Sequence, residues 1–173
     1  DLAVRAPQTT AAAEPEEERK PSPQTPVRTP SETRPKPAPA QPPPAPTMSP
    51  QEAYSVAYND YLKGNYDLAV DSFKLYRQQF PESPLADNAL YWIGECRYSQ
   101  RKYEEAIDAF DELILTYPQG DKAAAAHLKK GLSFIELGRK PEALAALKLL
   151  VAKYPLEEEA RIAQDKIREL NEK

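Results

Sequence analysis

Along residues 103 to 118, YEEAIDAFDELILTYP, apolar side chains fall at Tyr103, Ala106, Ile107, Phe110, Leu113, Ile114 and Tyr117. Steps of three and four place them on one face of a helix, and Pro118 ends it because proline lacks a backbone N–H. The same pattern stands 37 residues upstream, at 66 to 81, and 37 residues downstream, at 140 to 155. Ala69, Ala106 and Ala143 align, as do Phe73, Phe110 and Leu147. Phe80, Tyr117 and Tyr154 also align, each directly before a proline. A second periodic segment precedes each one, at 51 to 63, 85 to 100 and 122 to 137, with small Ala57, Gly94 and Gly131 in register. A period of this length predicts a helix–turn–helix unit stacked three times. Gly94 and Gly131 would let the paired helix approach, Ala106 and Ala143 would accept it, and Phe110 would fill the space between. The last segment, 157 to 171, reads as one more helix, with Ala160, Ala163, Ile167 and Leu170 on one side. Arg168 stands there in the register of Gly94 and Gly131, which suits a solvated cap.

Composition divides the chain. Fourteen of its nineteen prolines lie in residues 1 to 50, which hold no glycine and no aromatic residue. Such a segment buries too little apolar surface to offset its ordering entropy. It reads as a polyproline II-like spacer with a reach of about 150 Å at about 3.1 Å per residue. Its six acidic and six basic residues cancel, so the net charge of −4 belongs to the repeats. That argues against nucleic acid, which needs clustered Lys and Arg to displace counterions. No apolar run approaches a membrane span. The start at Asp1 rather than methionine reads as upstream sequence removed.

Little in the chain is suited to catalysis or to holding a cofactor or metal. A single cysteine, Cys96, excludes an internal disulfide; beside Gly94 it reads as a packing residue, with no base placed to activate it. The single histidine, His127, reads as an ordinary helix residue, and one His with one Cys makes no metal site. The five glycines are scattered, with Gly64 and Gly138 at matching helix–helix turns rather than in a phosphate loop. The reading is of a non-enzyme without cofactors.

Leu90-x-x-Ile93-Gly94, then Ala106-x-x-x-Phe110, then Pro118, resembles the tetratricopeptide repeat. Leu90 and Arg97 depart from the usual Trp and Tyr, and the period is 37 rather than 34. The resemblance implies an all-α fold, a right-handed tetratricopeptide solenoid. It comprises a disordered proline-rich arm at 1–48 and a repeat domain at 49–173, with repeats about 51–84, 85–121 and 122–155 and a cap helix at 157–171.

In such an array the first helix of each pair lines a concave groove. The exposed face of those helices is predicted to carry Tyr54, Tyr58 and Tyr61, then Asn88, Tyr91, Glu95 and Tyr98, then Leu128, Leu132 and Ile135, with Trp92 at the edge. Five of the ten tyrosines share this face, and Tyr and Trp are common binding anchors. No Lys and Asn clamp for a C-terminal carboxylate is evident, so the groove suits a helical or extended segment. Asp67, Asp71, Glu104, Glu105, Asp108 and Glu142 fall on the second helices and read as solubilising charge.

SPLADNALYWIGECRY, the 37-residue spacing, the YP endings and the preceding proline-rich stretch together resemble the CpoB/YbgF family of Tol-Pal-associated cell division coordinators. The resemblance implies a periplasmic protein-interaction module that binds a TolA-like partner. It would help couple outer-membrane constriction to septal peptidoglycan synthesis by a penicillin-binding synthase. Family members carry a secretion signal and a trimerising coiled coil; no heptads precede Ala53, so oligomerisation would rest outside this chain. Two alternatives are a BamD-like outer-membrane assembly lipoprotein scaffold and a cytosolic tetratricopeptide adaptor or co-chaperone.

Overall fold

A computed structural model describes residues 48 to 172; the proline-rich arm expected before Met48 lies outside the described residues, apart from Met48 itself. Among the described residues there are seven helices and no strand. They are α1 (Pro50–Leu62), α2 (Tyr66–Gln79), α3 (Ala86–Ser99), α4 (Tyr103–Thr116), α5 (Ala123–Glu136), α6 (Lys140–Lys153) and α7 (Glu158–Glu172). Each helix packs on the next, and α1 also meets α3, as α5 meets α7. The predicted all-α solenoid is what forms. Among the described residues no helix is long and apolar enough to cross a membrane.

Local chemistry sets the boundaries. Ser49 caps α1 in a reciprocal box with Glu52, and Pro50 occupies the first turn, where no N–H is needed. The second helices have no side-chain N-cap. Each instead follows a tight turn repeated three times, in which the N–H of Asn65, Lys102 or Arg139 reaches back to Asp60, Arg97 or Phe134. Such a turn needs one left-handed residue. Gly64 (φ 79°) and Gly138 (φ 70°) supply it, as the sequence predicts, but in the middle repeat Arg101 takes φ 60°. The second helices end at Phe80, Tyr117 and Tyr154, held out of helical geometry by the prolines that follow.

The core confirms the register of the repeats. Ala57, Ala69, Phe73, Ala106, Phe110, Ala143 and Leu147 are all fully buried. Phe110 lies directly on Gly94, and Leu147 directly on Gly131, with no room for a methyl group between. α7 takes the place of a fourth first helix, burying Ala160 and Ala163 against the array. Arg168, in the register of the two glycines, is exposed and pairs with Asp165.

Candidate protein-binding face

The 37-residue register places three rows across the first helices: Tyr54, Tyr91 and Leu128; Tyr58, Glu95 and Leu132; Tyr61, Tyr98 and Ile135. The tyrosines of α1 with Tyr91 and Trp92 of α3 form one continuous cluster, whereas Tyr98 packs edge-on against Tyr103 of α4 at 5.3 Å. Tyr58 stacks between Tyr54 (6.5 Å) and Tyr61 (6.1 Å). Trp92 lies 4.9 Å from Tyr58 and 4.7 Å from Tyr61, and its indole N–H donates to the Tyr54 hydroxyl at 2.8 Å. The sequence put Trp92 at the edge of the face; it sits at the centre, bridging α1 to α3. Tyr91 packs edge-on against Trp92 and, on its other side, against Phe110 in the core. All six aromatic side chains are half-buried, apolar in body and polar at one end.

The third repeat contributes differently. Leu128 is buried with Leu147, Leu150 and Ala163, so it belongs to the core, and Leu132 and Ile135 pack partly buried beside it. On α3, Asn88 is half-buried and its amide donates to the Asp87 carboxylate. Glu95 is buried, paired with Lys129 at 2.8 Å. The Lys129 ammonium also lies 4.9 Å above Tyr98, and that of Lys122 lies 5.5 Å above Tyr91. These two lysines are part of the face and were missed in the sequence. Register could have found Lys129: it stands 37 residues after Trp92 and covers Tyr98 as Trp92 covers Tyr61. Desolvation raises the hydroxyl pKa values of Tyr54, Tyr61, Tyr91 and Tyr98 above the usual range. They stay neutral hydrogen-bonding groups at neutral pH.

On the other side of the array the acidic residues are not all free charge. Asp67 and Glu105 both grip Arg97, each at 3.0 Å, and Glu142 pairs with Arg139. The Asp67, Glu105 and Glu142 carboxylates are themselves largely exposed, so each pair contributes only about 0–1 kcal/mol.

Cys96 is fully buried, as a packing residue should be, and burial pushes its thiol up to about 12. Among the described residues no three His, Cys, Asp or Glu side chains converge as a metal site. His127 is less ordinary than its sequence context suggests. It is 2% exposed, its ring 5.6 Å from that of Tyr154, and its Nε2 has no partner among the described residues. Burial, aided by Lys153 and Lys130, lowers its pKa from 6.5 to about 4. The folded state therefore binds this proton less readily than the unfolded chain, so stability is lost as pH falls from about 6.5 through 4. The loss from this group is on the order of 2–4 kcal/mol, at about 1.4 kcal/mol per pKa unit. Leu90 occupies the same register in α3. His127→Leu should accordingly flatten the acid limb of a urea-measured stability profile without lowering stability at pH 7. An unchanged acid limb would mean that the imidazole is already solvated in the fold.

A family described as outer membrane lipoprotein, YfiO, matches residues 46 to 173. The chain belongs to that family. It is similar to the outer membrane protein assembly factor BamD of Caulobacter vibrioides, with 30% identity over 127 residues. That alignment covers 69% of this chain and 42% of the relative, so the chain spans under half of that protein. Solved structures share the fold at lower identity. The type III secretion chaperone SycD of Yersinia enterocolitica, in complex with a peptide of the translocator YopD, superimposes with TM-score 0.58 at 19% identity, over 70% of this chain and 88% of that one. PcrH, bound to the chaperone-binding region of PopD, gives 0.60 at 17% identity, over 72% and 95%. The family shown is the lipoprotein one that the sequence analysis held as an alternative to CpoB/YbgF.

Proposed function

We propose that the repeat domain is a non-catalytic scaffold on the periplasmic side of the outer membrane. It would hold a segment of a protein partner and contribute to outer-membrane protein assembly, the role for which its relative BamD is named. The observation that carries a binding role is the continuous aromatic cluster of Tyr54, Tyr58, Tyr61, Tyr91 and Trp92 across two first helices, with Tyr98 and its overlying Lys129 farther along α3. Half-buried rings on a rigid backbone lose little conformational entropy when a partner covers them. The preceding proline-rich stretch favours a second reading, a Tol-Pal module whose partners are TolA-like protein and a penicillin-binding peptidoglycan synthase.

Depletion in the native host separates the two. On the assembly reading, depletion lowers the amount of folded β-barrel protein in the outer membrane. The wild-type chain restores it, and the Tyr58→Ala/Tyr91→Ala chain does not, although it accumulates to the same level with the same helical content. The paired substitution should weaken partner binding by about 2 kcal/mol or more, roughly thirtyfold in Kd. Charge reversal at Glu104 and Glu105 should change it little. Normal barrel assembly with delayed envelope constriction at the septum would favour the Tol-Pal reading, and no envelope phenotype would sink both.

A further inference from the structure

At the opposite end of the array from α7, large apolar side chains stand in the open. Val56 is 47% exposed, Leu75 52% and Met48 40%. They are not scattered. Met48, Val56 and Leu75 line one cleft of about 160 Å3 between α1 and α2, together with Ala53 and Ser72. It shares Tyr76 and Gln79 with a cleft of about 450 Å3 that runs on to the α2–α3 turn.

The repeat register shows what lies over such a cleft. Moving Ala53, Val56, Ser72 and Leu75 forward by 37 residues gives Leu90, Ile93, Ala109 and Glu112. Those four line the cleft between α3 and α4, where Lys74 and Arg77 of α2 join them. With α2 packed against it, Ile93 is only 5% exposed, against 47% for Val56 at the equivalent place. The Arg77 guanidinium closes that contact on Glu112 at 2.6 Å. At the α1–α2 end the position of Glu112 is taken by Leu75. An arginine arriving there would meet a leucine and lose hydration without gaining a partner.

We propose that the α1–α2 cleft is a second docking surface, distinct from the aromatic face, which takes an amphipathic helix of a partner protein. The helix lies across α1 as α2 lies across α3, reaching over the cleft, with an aliphatic residue where Arg77 would stand. The cleft continues an interface that the array already uses, and its chemistry selects a more apolar helix than the array's own. By the same register Asp60 and Asp71 replace Arg97 and Asp108 at its rim, which favours a basic residue on the flank of the incoming helix.

The probe is the α2 segment itself, residues 66 to 79, acetylated and amidated, in native form and with Arg77→Leu. Each is titrated into the isotope-labelled full chain and followed by amide chemical shifts. The expected result is perturbation centred on Ala53, Val56, Ser72 and Leu75, with the Arg77→Leu peptide binding about tenfold tighter than the native one. Val56→Asp or Leu75→Glu in the full chain should abolish the perturbation without changing the melting temperature, whereas Leu115→Asp, at a leucine 80% exposed elsewhere, should leave it intact. Absence of shifts at millimolar peptide, equal affinity of the two peptides, or shifts centred on Tyr58 and Tyr98 would overturn the proposal. So would a concentration-dependent dimer that Val56→Asp dissociates, because the occupant would then be a second copy. A marked fall in melting temperature on Val56→Asp alone would show the cleft already covered within the chain, which also overturns it.

Discussion

Phe110→Ala should lower the stability of the repeat domain by about 3–5 kcal/mol, the usual range for a buried phenylalanine. For a domain of this size that is a fall of roughly 10–20 °C in melting temperature. The ring is fully buried and lies against α3 at Gly94, with the Tyr91 ring centroid at 5.8 Å. A glycine has no side chain to swing into the vacated space, so the void stays largely empty. Adding Gly94→Ala to Phe110→Ala should therefore recover part of the loss, because the new methyl enters that void. Thermal and urea unfolding of the two variants tests this. A cost below about 1 kcal/mol for Phe110→Ala would mean that the α3–α4 packing differs from the one described.

Gly94→Leu should abolish cooperative folding, and Gly94→Ala alone should cost about 1–3 kcal/mol by overpacking. A methyl at this position would fall 2.7 Å from Cζ and 2.8 Å from Cδ1 of Phe110, and closer still to Cε1. The requirement is for space, not for backbone freedom, since Gly94 sits within the regular helix α3. Ala57, aligned with Gly94 in the first repeat, coexists with Phe73, so the fold can admit one methyl where the facing ring is placed differently. Near-ultraviolet circular dichroism, which reports fixed aromatic packing, should collapse for Gly94→Leu while far-ultraviolet helicity partly persists. A native spectrum with an unchanged melting temperature would remove the close contact from the account.

Most of the fold was legible because it is periodic. Amphipathic spacing gave the helices, prolines gave their ends, and the recurrence of Gly94 and Phe110 as Gly131 and Leu147 gave the pairing. Arg101 was not legible: nothing in its identity announces a left-handed residue, and only its alignment with Gly64 and Gly138 hints at it. The face was partly legible. Tyrosine spacing marked the first helices, but burial depends on what each neighbour presents. Leu128 therefore belongs to the core, although the aligned Tyr91 and Tyr54 stay half-buried. Lys122 and Lys129 escaped notice because lysine on a helix ordinarily reads as solvated charge. Here each ammonium lies over an aromatic ring of the preceding repeat.

By itself the sequence determined that this chain stacks three helical hairpins and a closing helix, because that information is local and is written three times over. Only the tertiary structure decided which side chains share a surface. It brought Trp92 to the centre of the α1 tyrosines, buried His127 with an unpartnered nitrogen, and left Val56 open while covering Ile93 in the same register. Periodicity repeats the positions but not their surroundings; among the described residues α1 has no helix on its outer side where α3 has α2, and only packing shows what each side chain then meets.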